Sequence, residues 1–222
     1  MRHIDRLPIP DILAQKHDEW QRKFEEKLAT HPKARPDNSK YGHKDILSLL
    51  YTMSYGKCFY CEKALAFDSK EIDHQIEVAV DSSKAYEWDN LYLACPNCND
   101  KLTHAVIPVQ NALDPCRDSD ETIAQNLTFN GELIQAKNGS QKGLDTIKKY
   151  KLNTELLDHL RLKVLKQLFT VVVDIQKRMI SEHRACLNED EKNSIKVFMQ
   201  PDHQFSLMCK VYIEQNFSEV LG

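Results

Sequence analysis

No apolar run in this 222-residue sequence reaches the roughly 18–20 residues needed to cross a bilayer, and charges interrupt every long hydrophobic stretch. The opening "MRHIDRLPIPDI" lacks the apolar core of a secretory signal, so a cytoplasmic protein with no membrane partner is expected. Repeats and low-complexity tracts are also missing, which argues against solenoids and disordered arrays. A large excess of charge is absent as well. The formal net charge is −3, so the chain as a whole lacks the basic signature of a nucleic-acid binder. No DNA-reading module such as a helix-turn-helix stands out. The length suits one medium domain, or a compact domain with appendages.

What is present is unevenly placed. Residues 64–132 carry 13 acids and 4 bases, residues 142–178 carry 9 bases and 4 acids, and residues 31–63 carry 6 bases and 3 acids. An acidic middle lies between two mildly basic flanks. Ordinary solvated faces account for such a pattern; alternatively, "KKYK" at 148–151 and Lys33, Arg35, Lys40 and Lys44 steer a polyanion. Seven cysteines include two C-x2-C pairs, Cys58/Cys61 and Cys95/Cys98. A reducing compartment disfavours disulfides, so such pairs read as metal ligands, whereas Cys116, Cys186 and Cys209 read as small buried hydrophobes.

The hydrophobic pattern outlines an α+β protein, mostly α. A helix is expected over 10–30, with Trp20, Phe24 and Leu28 at four-residue spacing, and it is followed by the polar, Pro-bearing connection "HPKARPDNSKYGH". A second helix carries Ile46, Leu47, Leu50 and Tyr51 on one face and stops at Gly56. "EIDHQIEVAV" reads as a strand or strand-loop, and "NLTFNGELIQAK" as a hairpin turning at Asn130-Gly131. Beyond Gly143 the chain reads as helical. Asn153-Thr154 caps a long helix whose stripe includes Leu156, Leu157, Leu160, Val164, Leu168 and the valines at 171–173; shorter helices follow at 189–199 and 203–217. Three regions result: an N-terminal helical segment (1–56), a metal-binding unit with its trailing hairpin (57–142) and a C-terminal helical region (143–222).

Four thiolates in two pairs suit a tetrahedral structural Zn²⁺ site with no coordination position open to substrate. Cys61 and Cys95 are separated by 33 residues, so zinc would clip the ends of a substantial insert and help fold a unit with little core of its own.

The insert resembles the HNH nuclease family, whose pattern runs C-x2-C, (I/V)-D-H, D-N-L and L-x-C-x2-C-N. Here those pieces are Cys58 and Cys61, Ile72-Asp73-His74, Asp89-Asn90-Leu91, then Leu93, Cys95 and Cys98-Asn99. The resemblance implies a zinc-stabilised ββα-metal fold set between the helical regions. It implies His74 as general base, Asp73 and Asn99 as ligands of a catalytic Mg²⁺ or Mn²⁺, and Asn90 as the residue that orients the His74 loop. Two positions depart from the family. Glu77 stands where a proline is common, either as a solvated acid or as an extra carboxylate near the metal. Lys101 lies two residues after Asn99, whereas the family tends to carry a lysine three after. His104, expected on the same helix as Asn99, either approaches the site or is a plain surface residue.

The order of "YEWDNLYLACPNCN", "LDP" at 113–115, the hairpin and "GLDTIKKYKLNTELLDHLR" is similar to the HNH subunit of Septu-type anti-phage defence systems, including retron-associated versions. That likeness covers roughly residues 40–170. It implies an ABC/SMC-like (PtuA-like) ATPase partner, a nucleic-acid substrate and, in the retron versions, a reverse transcriptase with its RNA–DNA. Phe198, Met199, Leu207, Met208, Tyr212 and Phe217 are either core or a docking face for that partner. Two readings of different class stand at this point: a metal-dependent phosphodiesterase, or a zinc-stabilised adaptor whose HNH residues are vestigial. A stand-alone restriction or homing nuclease is a third.

Overall fold

In the computed structural model, the four-residue apolar spacing near the N-terminus becomes α1 (Asp11–Thr30), which buries Leu13, Trp20 and Phe24. The structure describes residues 1–66, 70–217 and 220. Asp68 of the acidic middle and positions 218, 219, 221 and 222 of the C-terminal region lie outside the described residues. The polar connection after α1 contains one helical turn, α2 (Asn38–Tyr41), because the Asp37 carboxylate accepts the Ser39 N–H as an N-cap. Then α3 (Lys44–Met53) buries Ile46, Leu50 and Met53. The chain leaves it through Gly56, whose φ of 70° suits glycine and whose N–H reaches the Tyr51 carbonyl at 2.8 Å.

The central unit is a two-stranded antiparallel sheet of β1 (Glu71–His74) and β2 (Leu91–Ala94), with His74 opposite Leu91 and Asp73 opposite Tyr92. One helical turn follows, α4 (Pro96–Asn99), with Pro96 at its first position. The helix expected to continue through His104 does not form. Asp100 closes the turn, and the Leu102 N–H bonds instead to the Lys149 carbonyl at 2.8 Å, so the chain runs back irregularly across the molecule.

Next come α5 (Asp120–Asn126) and the hairpin β3 (Leu127–Asn130) and β4 (Leu133–Ala136). Its two-residue turn is Gly131-Glu132, one position later than expected, with Gly131 at φ 59°. α6 (Gln141–Lys149) packs on β4. Of "KKYK", only Lys148 is exposed. The Lys149 ammonium is fully buried and donates to the Leu102 and Ile107 carbonyls, and the Tyr150 ring stacks on Tyr60 with centroids 4.0 Å apart. Core packing therefore takes Lys149 and Tyr150 of that run.

Long helix α7 (Glu155–Ser181) buries Leu157, Val164, Leu165, Leu168, Val172 and Ile175, while Leu156 and Val173 face outward. Thr154 is its N-cap residue but makes no capping hydrogen bond. α8 (Glu189–Lys196) begins with an Asn188–Glu191 capping box, and α9 (Ser206–Asn216) closes the described chain. Phe198, Leu207 and Met208 are buried, and Met199, Tyr212 and Phe217 pack against the same core, so these apolar positions are core. Among the single cysteines Cys209 is buried, Cys116 is half-buried and Cys186 is exposed in the turn between α7 and α8, contrary to expectation. One contiguous core draws on all three regions. No described helix is long and apolar enough to cross a membrane.

Candidate active site

The metal-binding loop is tight. Glu62, at φ 64°, turns its N–H onto the Cys58 carbonyl, and the Phe59 N–H bonds to the Leu93 carbonyl, which seats the loop on β2. The sulfurs of Cys58, Cys61, Cys95 and Cys98 all lie within 4.8 Å of one another, with Cys61 and Cys95 at 3.8 Å. Tetrahedral Zn–S bonds of about 2.3 Å place sulfurs about 3.8 Å apart, so the cluster matches a zinc site in donor type, number and spacing. Left to themselves, the thiols share protons unequally. Bonds from its three neighbours push Cys95 far down, whereas burial, with bonds from Cys58 and Cys95, holds Cys61 up, and bonds from its three neighbours, with burial, hold Cys98 up. A bound dication removes that conflict by taking all four as thiolates.

Between the first two cysteines, Tyr60 donates to Asp73 Oδ2 at 2.6 Å. It is sandwiched by Tyr92 and Tyr150, whose centroids lie 5.8 and 4.0 Å away. The zinc loop thus touches the carboxylate at the end of β1 directly. Asp73 is buried, and burial lifts its pKa, opposed by the Lys101 ammonium and the Tyr60 hydroxyl. Lys101 Nζ lies 2.6 Å from each Asp73 carboxylate oxygen, 2.6 Å from the His74 carbonyl and 3.1 Å from the Gln75 carbonyl.

His74 Nε2 is 2.8 Å from the Ala85 carbonyl. A carbonyl only accepts, so Nε2 carries the proton and the neutral ring keeps its lone pair on Nδ1. The Tyr41 ring meets the imidazole edge-on at 4.8 Å. Burial lowers the His74 pKa below its ordinary 6.5, with the Ala85 bond opposing and Lys101 adding to the depression.

Asn90 acts on the loop that presents Ala85. Its Oδ1 accepts the Ile76 N–H at 2.7 Å, and its Nδ2 donates to the Ile76 and Lys84 carbonyls at 3.0 Å each. The same loop is pinned from the N-terminal side. Gln21 donates to the Ser82 carbonyl, the Tyr86 hydroxyl accepts the Asp37 N–H, and Trp20 and Phe24 pack on the Tyr86 ring. Asn90→Ala strands three part-buried backbone groups, each costing at most about 1–3 kcal/mol, so the expected result is a melting temperature lowered by a few degrees. His74 should then titrate nearer 6.5 as its ring loosens, read by NMR; an unmoved pKa would separate Asn90 from the histidine.

Asn99, Asp73, His74, Glu77 and Lys101 line one cleft of about 1290 Å³. Asn99 donates to Glu71 Oε2 at 2.7 Å at its edge. Both Glu77 carboxylate oxygens are shielded from solvent and have no hydrogen-bond partner, with the Lys149 ammonium 3.8 Å away. His104 is half-buried with an unpartnered Nδ1 and is not part of the cleft lining. The end of α1 and the strap between α1 and α2 bring Lys27, Lys33 and Arg35 to the same cavity; Lys40 and Lys44 are not among the residues that line it.

Four contributors were not legible in the motif: Lys101 in its present position, Tyr60, the Ala85 carbonyl and Glu71. Tyr60 offered the one usable signal, since a polar aromatic between two zinc ligands has few places for its hydroxyl to go.

Residues 58–105 match the model of the HNH endonuclease family, and this segment is an HNH endonuclease domain. The chain is also similar to the Septu protein PtuB of Bacillus mycoides (strain KBAB4), 28% identical over 160 residues. That match covers 58% of this chain and 53% of the relative, so the chain spans about half the length of the curated protein it matches.

Proposed function

We propose that the chain is a metal-dependent endonuclease that hydrolyses phosphodiester bonds in DNA or RNA, tRNA included, as the nuclease subunit of a Septu-type defence complex with an ABC/SMC-like ATPase. The observation that carries this reading is the convergence of Asp73, His74 and Asn99 on one cleft, with the protonated nitrogen of His74 already held by Ala85. His74 Nδ1 takes the proton of the attacking water. Asn90 is a positioning residue for that ring. Lys27, Lys33 and Arg35 line the same cleft and receive backbone phosphates.

The donors around Asp73 fit a hard cation. Asp73 and Asn99 would supply oxygen ligands for Mg²⁺ or Mn²⁺, and the Glu77 carboxylate, which has no hydrogen-bond partner beside its ion pair with Lys149, would be a third donor. An ion held by these residues would supply charge stabilisation for the scissile phosphate and the departing 3′ oxygen. The four cysteines hold structural Zn²⁺. None of the seven cysteines forms a disulfide, which suits a reducing compartment such as the cytoplasm. The ATPase partner rests on the Septu likeness. The relative's name carries no retron component, so the reverse transcriptase and its RNA–DNA drop out of the proposal.

One observation favours the adaptor reading: Asp73 is already saturated by Lys101 and Tyr60. The test is cleavage of plasmid DNA and bulk tRNA with Mg²⁺ or Mn²⁺, with and without the ATPase. Cutting lost on chelation and in Asp73→Asn supports the nuclease. No cutting in any arm, with zinc bound and the ATPase complex intact, leaves the adaptor.

A further inference from the structure

Lys101 does more than neutralise a carboxylate. Its ammonium sits among four oxygens from three consecutive residues, Asp73, His74 and Gln75, at 2.6–3.1 Å. An ammonium has three protons, so four acceptors exceed what it can bond. A cage of carboxylate and carbonyl oxygens is instead the donor set of a hard cation. The Lys101 and Asp73 side chains are only 4% and 5% exposed, so the pair is poorly screened.

We infer that Lys101 is a built-in competitor for the divalent ion: its ammonium fills the cation position at Asp73, and the ion binds only by expelling it. The inference rests on the nuclease reading for the identity of the site and adds how that site is kept closed. A dication and an ammonium on the same carboxylate repel each other strongly at such range. Expulsion needs no helix to unwind, because Lys101 lies in irregular chain beyond α4 and lines the open cleft. The resting site therefore excludes its metal, and whatever brings phosphate into the cleft gives the displaced ammonium a new anion.

Mn²⁺ binding to the full chain, followed by electron paramagnetic resonance without nucleic acid, tests this apart from cleavage. Lys101→Met should bind Mn²⁺ more tightly than the wild type by about 5–150-fold, the usual span of a coupling between two ligands. Adding Asp73→Asn should erase the gain. Equal or weaker binding by folded Lys101→Met, or a gain that survives Asp73→Asn, overturns the inference. Should Lys101→Met fail to fold, amine acetylation of the wild type read by mass spectrometry decides. Lys101 labelling should accelerate when Mn²⁺ is added while the buried Lys149 stays protected, and an unchanged Lys101 rate overturns the inference. Absence of cleavage in any arm would instead count against the nuclease reading, whatever the Mn²⁺ affinities.

Discussion

His74→Ala will lower nucleic-acid cleavage by about two to four orders of magnitude, the range assigned to a positioned general base. Folding should change little. The side chain is half-buried, and its removal costs one bond to the Ala85 carbonyl and one edge contact with Tyr41, together about 1–2 kcal/mol. Zinc content and the melting curve therefore serve as controls that the variant is folded. The pH profile gives a second reading. Burial depresses the His74 pKa, so the ring stays neutral, and competent as a base, to lower pH than a free histidine. The wild-type rate should hold from pH 7 to below 6.5 and then fall along a single-proton limb. That limb should vanish from the residual rate of His74→Ala. A variant keeping about a tenth or more of the wild-type rate would remove His74 from the chemistry.

The parts of this site that the sequence announced are those set by short-range spacing. Two C-x2-C pairs converge whatever lies between them, and Asp73-His74 at a strand end needs only the local period of β1. The long helix was legible for the same reason, since its stripe is a property of one segment, although Leu156 and Val173 fell outside the buried face. Residues brought in by chain reversal were not legible. Lys101 reaches Asp73 because α4 stops after one turn and Leu102 bonds to α6; a continued helix would carry residue 101 elsewhere. Lys149 read as solvated in a basic run and proved fully buried, because two carbonyls 47 and 42 residues away satisfy it. The cleft itself has two walls far apart in sequence. Only the three-dimensional path brings Lys27, Lys33 and Arg35 to the cavity that His74 lines, so residues of the basic flank and of the acidic middle share one cleft.

Loss of one zinc ligand should be the most damaging single change to stability. Cys95→Ser removes a thiolate from a fully buried four-sulfur cluster and leaves three thiols crowded without their counter-ion. Apart from the cluster, the unit relies on packing against the shared core. β1 and β2 are four residues each, and an isolated pair of strands is marginal in water. The apparent binding energy of structural zinc, about 10–16 kcal/mol in small domains, is of the order of the whole stability of a protein this size. The damage should also reach the chemistry. Tyr60 lies between Cys58 and Cys61 and holds Asp73, while Glu62 beside it accepts the Ser206 hydroxyl at 2.7 Å and ties the knuckle to α9. Cys95→Ser should therefore contain less than one zinc per chain, lose the cooperative thermal transition of the wild type and show no cleavage in any metal. Prolonged chelation of the wild type should reproduce all three effects, and restored Zn²⁺ should reverse them in the wild type only. A Cys95→Ser protein that melts at the wild-type temperature would make the cluster a set of packed thiols, with the hydrophobic contacts of Phe59 and Tyr60 sufficient to hold Asp73 in place.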